Sequence, residues 1–152
     1  MFTNTITLPS GEYIIIDPCY VMPDDAYQKM IDTIYSTSHM EENQFTYKGK
    51  TMVVFGTAYG DGGYPNTFNN NNILVDSGQI AIIPTSVLTK KVIKSNANCS
   101  VVVTFENNVQ CSNNDGIMEF GNITVDTRPE EDEEDEEDNW YEDEDEDEDE
   151  DY

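Results

Sequence analysis

The stretch GEYIIIDP, residues 11–18, decides the fold of this chain. Its apolar side chains run without a break from Tyr13 to Ile16, whereas a strand with one face in water alternates apolar and polar residues. The continuous run is typical of a strand that is covered on both faces. Because proline cannot donate a hydrogen bond to a sheet, Pro18 predicts that the strand stops at Asp17.

One clear helix follows this strand. In DDAYQKMIDTIYS, residues 24–36, the apolar side chains recur at the spacing of a single helix face. This stripe consists of Tyr27, Met30, Ile31, Ile34 and Tyr35. We expect it to face the core.

Short β-rich runs, separated by turn residues, fill the rest of the chain up to residue 128. They predict hairpins that turn at residues 9–11, 48–49 and 77–78, a turn at 107–108, and further strands around residues 115–116 and 121–122. Roughly eight to ten short strands with one helix indicate an α+β, mostly β fold. We expect an antiparallel sheet or a small sandwich, with the helix packed on one face.

The C-terminal segment has a different composition. Residues 130–152 contain 19 Asp or Glu and no Lys or Arg, whereas residues 1–129 hold the other 13 acidic residues and all 7 basic ones. The formal charge of −25 therefore divides into −6 and −19. Repulsion between neighbouring carboxylates, with few apolar side chains to offset it, predicts disorder. We expect a β-rich globular domain at 1–128 and a disordered polyacidic tail at 129–152.

No targeting or membrane-spanning segment is recognisable. The N-terminal residues MFTNTITLPSGEY lack the basic and apolar regions of a signal peptide, and no run approaches roughly 18 apolar residues. The negative charge disfavours binding to anionic membranes and direct binding to nucleic acid. The cysteines, Cys19, Cys99 and Cys111, form no metal-binding spacing and are interpreted as reduced thiols. The sequence thus predicts a soluble, intracellular protein.

Few residues qualify for catalysis or metal binding. The single histidine, His39, lies in a polar segment after the helix, without a nucleophile motif or a zinc spacing. Asp17, Asp61 and Asp76 lie at predicted strand ends and turns. If they meet at one rim of the sheet, they suit a hard divalent cation and metal-assisted hydrolysis. The favoured alternative is structural, with each carboxylate accepting backbone N–H groups of a turn.

The segment YGDGGYPNTFNNNNILVDSG, residues 59–78, raises the same choice between a site and a connection. It contains a connection of roughly a dozen residues, which is long for a hairpin. Its glycines free the backbone to approach a ligand or to adopt positive φ. We interpret it as a structural loop that contributes to a binding surface.

Three segments resemble a pattern in small uncharacterised proteins of phages, large DNA viruses and some bacteria. They are GEYIIIDPCYVMPDDAY, VVFGTAYGDGGY and ILVDSGQIAIIP, which together cover roughly residues 11–84. The pattern is G-x-Y-x-x-x-D-P-C-Y-V, then G-D-G-x-Y, then V-D-[AS]-G. The resemblance implies a compact β-rich domain of viral or phage origin, without an established activity. The asparagines at 69–72 and the acidic tail depart from the pattern.

The acidic tail is the strongest functional signal. A polyanion of 19 charges attracts basic surfaces and releases counterions when it binds them. Trp140 and Tyr141 interrupt the acids, and we expect them to anchor in an apolar pocket or to stack on an arginine. The first hypothesis is a non-enzymatic interaction protein, in a viral setting, whose tail binds or shields basic protein surfaces.

Other interpretations stay open. The tail also suits a role in solubility or in cation buffering. A second hypothesis is a small metal-dependent hydrolase that uses Asp17, Asp61 and Asp76, and a third is a structural virion component. No cofactor is predicted, apart from the divalent cation of the second hypothesis.

Overall fold

The computed structural model describes residues 5–35 and 43–128, which form eleven strands and two α-helices. The strands, β1 to β11 in chain order, are Ile6–Leu8, Gly11–Ile16, Gln44–Tyr47, Lys50–Gly56, Gly62–Tyr64, Ile73–Val75, Gln79–Pro84, Val101–Phe105, Val109–Asn114, Ile117–Phe120 and Ile123–Asp126. The helices are α1, Asp24–Tyr35, and α2, Lys90–Ser95, and three 3₁₀ turns span Pro18–Tyr20, Thr85–Val87 and Ala97–Cys99.

The strands form three antiparallel sheets. One sheet has the order β3-β4-β7-β2-β8, a second has the order β1-β9-β10-β11, and β5 and β6 form the third. The first two sheets face each other, with the rings of Phe55 and Phe120 5.9 Å apart. In β2, Ile14 pairs with Ile83 of β7 on one side and with Val102 of β8 on the other. Because both of its edges are paired, β2 is a central strand.

The side chains of β2 alternate between two buried layers. Tyr13 and Ile15 belong to the core between the two large sheets. Ile14 and Ile16 belong to a second core on the opposite face of the five-stranded sheet. Each of these side chains contributes roughly 1.5–3 kcal/mol through burial. The prediction of a strand covered on both faces is confirmed.

Helix α1 covers the second face through its apolar stripe. Met30 and Ile34 are buried there, and Tyr27 and Ile31 pack against the same cluster. The side chain of Tyr35 lies outside the described residues. The predicted α+β, mostly β class, with one main helix on a face of an antiparallel sheet, is confirmed.

Three turns each connect two strands that pair with each other in the same sheet. Lys48 and Gly49 connect β3 to β4 with φ of 51° and 82°, and Asp115 and Gly116 connect β9 to β10 with φ of 55° and 103°. Positive φ at both central residues is the geometry of a type I′ hairpin. Gly121 connects β10 to β11 with φ of 63°. The predicted hairpin at 48–49 and the strands around 115–116 and 121–122 are confirmed.

The two other predicted hairpins, at 9–11 and 77–78, are wrong, because the strands on either side of each turn do not pair with each other. Residues 9–11 lead from β1 in the four-stranded sheet to β2 in the five-stranded sheet, and residues 107–108 lead back from β8 to β9. Residues 77–78 separate β6, which pairs with β5, from β7, which pairs with β2 and β4. Turn residues reverse the chain direction but do not determine which strand the next strand pairs with. In a sandwich, a reversal can also carry the chain from one sheet to the other.

The sequence pattern does not predict α2, because its six residues are too few to show a periodic stripe. Thr89 precedes it as the N-cap, with its hydroxyl accepting a hydrogen bond from the backbone N–H of Val92 at 3.2 Å. Val92 and Ile93 pack on the same core as α1. Neither helix in the described part of the chain is long and apolar enough to cross a membrane.

Candidate functional site

Asp17 is fully buried at the point where β2 ends. It is the N-cap of the 3₁₀ turn Pro18–Tyr20, and its Oδ1 accepts a hydrogen bond from the backbone N–H of Cys19 at 2.9 Å. The Asp-Pro dipeptide favours this N-cap, because Pro18 ends the strand, suits the first position of the turn and has no N–H that needs an acceptor. One carboxylate oxygen is thereby tied to the chain immediately after it.

The same carboxylate holds the distant connection between β6 and β7. Oδ2 of Asp17 accepts hydrogen bonds from the backbone N–H groups of Asp76 at 2.6 Å and Ser77 at 2.8 Å. The hydroxyl of Ser77 donates to Oδ1 at 2.7 Å. With Cys19, this gives four donors for the roughly four lone-pair sites of a carboxylate. Charge-assisted hydrogen bonds of this kind are roughly twice as strong as neutral ones, so Asp17 clamps the β6–β7 connection to the end of β2.

Asp61 and Asp76 lie near this clamp. A Cβ placed on Gly78 would be 4.0 Å from Oδ1 of Asp61. Burial raises the pKa of the Cys19 thiol to about 12, and a hydrogen bond to Asp17 and the negative charges of Asp17, Asp76 and Asp61 add to the rise. The three aspartates named by the sequence analysis therefore share one region, which we call the aspartate corner.

The aspartate corner is arranged as a clamp instead of a cation site. In residues 5–35 and 43–128, no group of three His, Cys, Asp or Glu side chains is placed to hold a metal ion. Asp17 would have to give up hydrogen bonds from Cys19, Asp76 or Ser77 to ligate a cation. As placed, these side chains do not fit the predicted Mg²⁺ or Ca²⁺ site, and no metal chemistry follows from them. The metal role stays a prediction that a titration decides.

The 59–78 segment is held together by the side chains of Thr57, just before it, and of residues within it. The Thr57 hydroxyl donates to the carbonyl of Gly60 at 2.8 Å and accepts from its N–H at 2.9 Å, while the Tyr64 hydroxyl donates to the same carbonyl at 2.7 Å. Asn66 accepts hydrogen bonds from the backbone N–H groups of residues 68 and 69 at 2.7 and 2.8 Å. These contacts agree with the interpretation of a structural loop.

The asparagine block fastens this loop to the chain before β8. Nδ2 of Asn71 donates to the carbonyls of Ala97 at 2.9 Å and Ser100 at 3.1 Å. Short amide side chains are suited to this task, since each carries both a donor and an acceptor. The large apolar side chains of Tyr59, Phe68 and Leu74 stay exposed along the segment.

The three cysteine thiols are poorly suited to nucleophilic chemistry. All three are free. Burial raises the pKa of Cys111 to about 12, and burial with the charge of Asp17 raises the pKa of Cys99. Since the thiolate is the nucleophile, these thiols and that of Cys19 stay largely protonated near neutral pH.

A second region lies at the other end of the five-stranded sheet. β2 and β4 run in the same direction, because each is antiparallel to β7. Asp17 follows the end of β2, whereas Lys48 and Lys50 lie at the start of β4. Helix α2 begins with Lys90 and Lys91. Its N-cap, Thr89, lines the same depression as Lys48, so the first residues of α2 lie close to the start of β4. We call these four exposed residues, Lys48, Lys50, Lys90 and Lys91, the lysine end.

Sequence reasoning missed the lysine end. The signal was the TKKVIK stretch, residues 89–94, which holds three of the seven basic residues. Its proximity to the 48–49 turn depends on tertiary packing. The other residues singled out from the sequence, His39, Trp140 and Tyr141, lie outside the described residues.

No protein-family profile, curated protein or solved structure matches this chain. The resemblance to phage and viral proteins therefore stays a prediction. The described residues define an α+β, mostly β domain in which one central sheet is covered by a second sheet on one face and by α1 on the other.

Proposed function

We propose that this chain is a non-enzymatic interaction protein whose acidic segment, residues 130–152, binds or shields basic surfaces of a partner protein. The observation that carries the proposal is the composition of this segment, in which 19 of 23 residues are acidic and none is basic. We further propose an intracellular and viral setting. The free thiols of Cys19, Cys99 and Cys111 support the intracellular part.

Dense carboxylates favour such a partner for an electrostatic reason. A row of like charges concentrates counterions, and a Lys-rich or Arg-rich surface displaces them when it binds. Nucleic acid and anionic membranes carry the same sign of charge and are repelled. Trp140 and Tyr141 add a short-range contact, because aromatic rings pack in apolar pockets and on arginine side chains.

The folded domain supports the proposal that the acidic segment, and not a reactive group of the domain, carries the function. Among the described residues the one fully buried acid, Asp17, is engaged by four hydrogen bonds within the fold. The thiols that are the strongest potential nucleophiles have raised pKa values. What remains for a partner is the charge at the surface and in the acidic segment.

The direct test is titration calorimetry with poly-L-lysine. The full chain is compared with a full-length variant in which every Asp and Glu of 130–152 is changed to Asn or Gln. We expect the wild type to bind at low salt and the amide variant to lose that binding. A second variant, Trp140→Ala with Tyr141→Ala, keeps every charge and should lose only part of the affinity. Equal binding by wild type and amide variant would overturn the proposal.

Two other hypotheses keep their own tests. The hydrolase hypothesis starts from the proximity of Asp17, Asp61 and Asp76 around Cys19, although as placed these side chains do not form a cation site. Calorimetric titration with Mg²⁺, Mn²⁺ and Ca²⁺ decides it, and no heat at millimolar metal counts against it. The virion hypothesis requires this chain in purified particles, which mass spectrometry detects.

A further inference from the structure

A depression of about 370 Å³ lies at the lysine end, on the face of the sheet that α1 covers. Three parts of the chain form it: the residues before α1, the β3–β4 turn and the start of α2. Apolar and polar surface line it in similar amounts, and the apolar part comes from side chains that include Tyr20, Met22, Val87, Leu88 and Val92. The volume lies in the range of roughly 300–1,000 Å³ that is typical of small-ligand pockets, so it has room for aromatic side chains.

Three lysines lie at or beside the rim of this depression. Lys48 lines it, and its Nζ lies 5.3 Å from the centre of the Tyr47 ring, which also lines it. Lys90 and Lys91 directly follow Thr89, another lining residue. Within residues 5–35 and 43–128, none of these three lysines forms an ion pair with a carboxylate. Their charges are therefore open to an acidic ligand.

Two acids lie near the same rim and must be weighed against these lysines. Asp24 and Asp25 follow Pro23, which lines the depression, and both are exposed. Oδ1 of Asp25 accepts a hydrogen bond from the backbone N–H of Ala26 at 2.8 Å, so it serves the first turn of α1. The lysines still outnumber the acids, and the depression favours a ligand that combines aromatic rings with carboxylates.

We infer that this depression binds the Trp140–Tyr141 pair of the same chain, with the acids on both sides of the pair held by Lys48, Lys90 and Lys91. This inference rests on the proposed function, because it uses the same acidic segment. Nine acids precede the pair in residues 130–138 and ten follow it in residues 142–151. The segment therefore carries the two features that the depression complements, which are aromatic rings and dense negative charge.

The chain is long enough to reach. Arg128 lies near Ala58, since both adjoin the position that a Cβ on Gly116 would occupy, and Ala58 follows the end of β4. From Ala58 back to Lys48 is ten residues of mostly extended chain, or about 33 Å. The twelve residues from Arg128 to Trp140 span up to about 40 Å. Carboxylate repulsion extends such a linker, and covalent attachment raises the effective concentration of the pair.

Docking of this kind would regulate the proposed function. A basic partner and the lysine end compete for the same carboxylates. The acidic segment therefore leaves the depression when the partner surface carries more positive charge than the three lysines do. Weak partners are excluded and strong ones are admitted. A variant with a weakened lysine end should therefore bind poly-L-lysine more tightly than the wild type does.

Tryptophan fluorescence tests the inference, because Trp140 is the one tryptophan of the chain. At low salt we expect blue-shifted emission and protection from a neutral quencher such as acrylamide, and both should disappear at high salt. Lys48→Glu should expose Trp140 severalfold more to the quencher. Lys29→Glu is the matched control, since Lys29 is an exposed lysine of α1 outside the depression, and it should leave the quenching unchanged.

Three results would overturn the inference: fully exposed Trp140 at low salt, equal effects of Lys48→Glu and Lys29→Glu, or a fluorescence change that depends on protein concentration. The last result would place the segment on a second copy. Circular dichroism confirms that both variants fold. Binding to poly-L-lysine separates the two proposals: an exposed Trp140 with intact binding overturns only the docking, whereas a protected Trp140 without binding overturns only the proposed function.

Discussion

The aspartate corner and the lysine end lie at opposite ends of one sheet and treat charge in opposite ways. At the corner, the buried carboxylate of Asp17 is surrounded by donors from Cys19, Asp76 and Ser77. At the lysine end, Lys48 and Lys91 are exposed and form no ion pair with a described carboxylate. The difference indicates that a buried acid holds the fold at the corner, whereas the lysines at the other end lie at the surface without a described ion pair.

The largest expected effect is at the corner. Asp17→Asn keeps the shape of the side chain but replaces one acceptor oxygen with an NH2 group, which is a donor, so buried donors that face it lose their acceptor. We expect a loss of about 3 kcal/mol in the free energy of unfolding. Urea denaturation measures it. Asp76→Asn is the matched control, because Asp76 contributes its backbone N–H and its side chain is exposed. Equal losses in both variants would contradict the clamp.

The two ends should also differ in their tolerance of an added methyl group. A Cβ on Gly116 would lie 2.4 Å from Cβ of Ala58, whereas a Cβ on Gly49 would meet nothing within 4 Å. Both glycines have positive φ, so both alanine variants carry the same kind of backbone strain. We expect Gly116→Ala to cost roughly 1–3 kcal/mol more than Gly49→Ala through overpacking. Thermal unfolding of both variants measures the difference, and equal costs would show that the contact between Gly116 and Ala58 is loosely packed.

A smaller effect concerns the thiol at the corner. The pKa of Cys19 is raised to about 12, first by burial and then by Asp17, Asp76 and Asp61. Its alkylation should be slow at neutral pH and should accelerate as the pH rises towards 12, because the thiolate forms only then. Removing two charges with Asp61→Asn and Asp76→Asn should lower this pKa. The rate should increase roughly two- to fivefold, since charge pairs near a surface contribute about 0.2–1 kcal/mol.

Mass spectrometry of the alkylated protein separates the cysteines. The pKa of Cys99 is raised by burial and by the charge of Asp17, so Cys99 is the internal control for this double variant. Its rate should stay unchanged. An equal acceleration at Cys19 and Cys99 would show general loosening of the fold instead of a local electrostatic effect.

The smallest effect belongs to the lysine end. Lys90→Glu and Lys91→Glu change exposed side chains without a described ion pair, so each should alter the free energy of unfolding by less than about 0.5 kcal/mol. Urea denaturation next to Asp17→Asn shows the contrast between the two ends. A loss of stability comparable to that of Asp17→Asn would mean that the lysines hold the fold after all.

Local patterns predicted the parts of the fold that depend on local physics. The apolar run of β2 and the stripe of α1 follow from periodicity, and the turn at 48–49 follows from the backbone freedom of Gly49. Strand partners could not be predicted in this way. Ile6 pairs with Cys111, a contact between residues about a hundred positions apart that depends on how the two sheets meet.

The candidate site shows the same limit. The sequence left open whether the strand-end aspartates converge, and Asp17, Asp61 and Asp76 do share one corner. The clamp itself was beyond prediction, because the donors at Asp76 and Ser77 lie 59 and 60 residues from Asp17. The lysine end likewise combines Lys48 with the start of α2, which only tertiary packing brings together.

The most direct test of the account is the salt dependence of poly-L-lysine binding by the full chain and by the amide variant of residues 130–152. The logarithm of the association constant should fall linearly and steeply with the logarithm of salt concentration for the wild type, since each neutralised charge releases a counterion. The amide variant should show weak binding with almost no slope. The same slope in both chains would contradict the assignment of binding to the acidic segment.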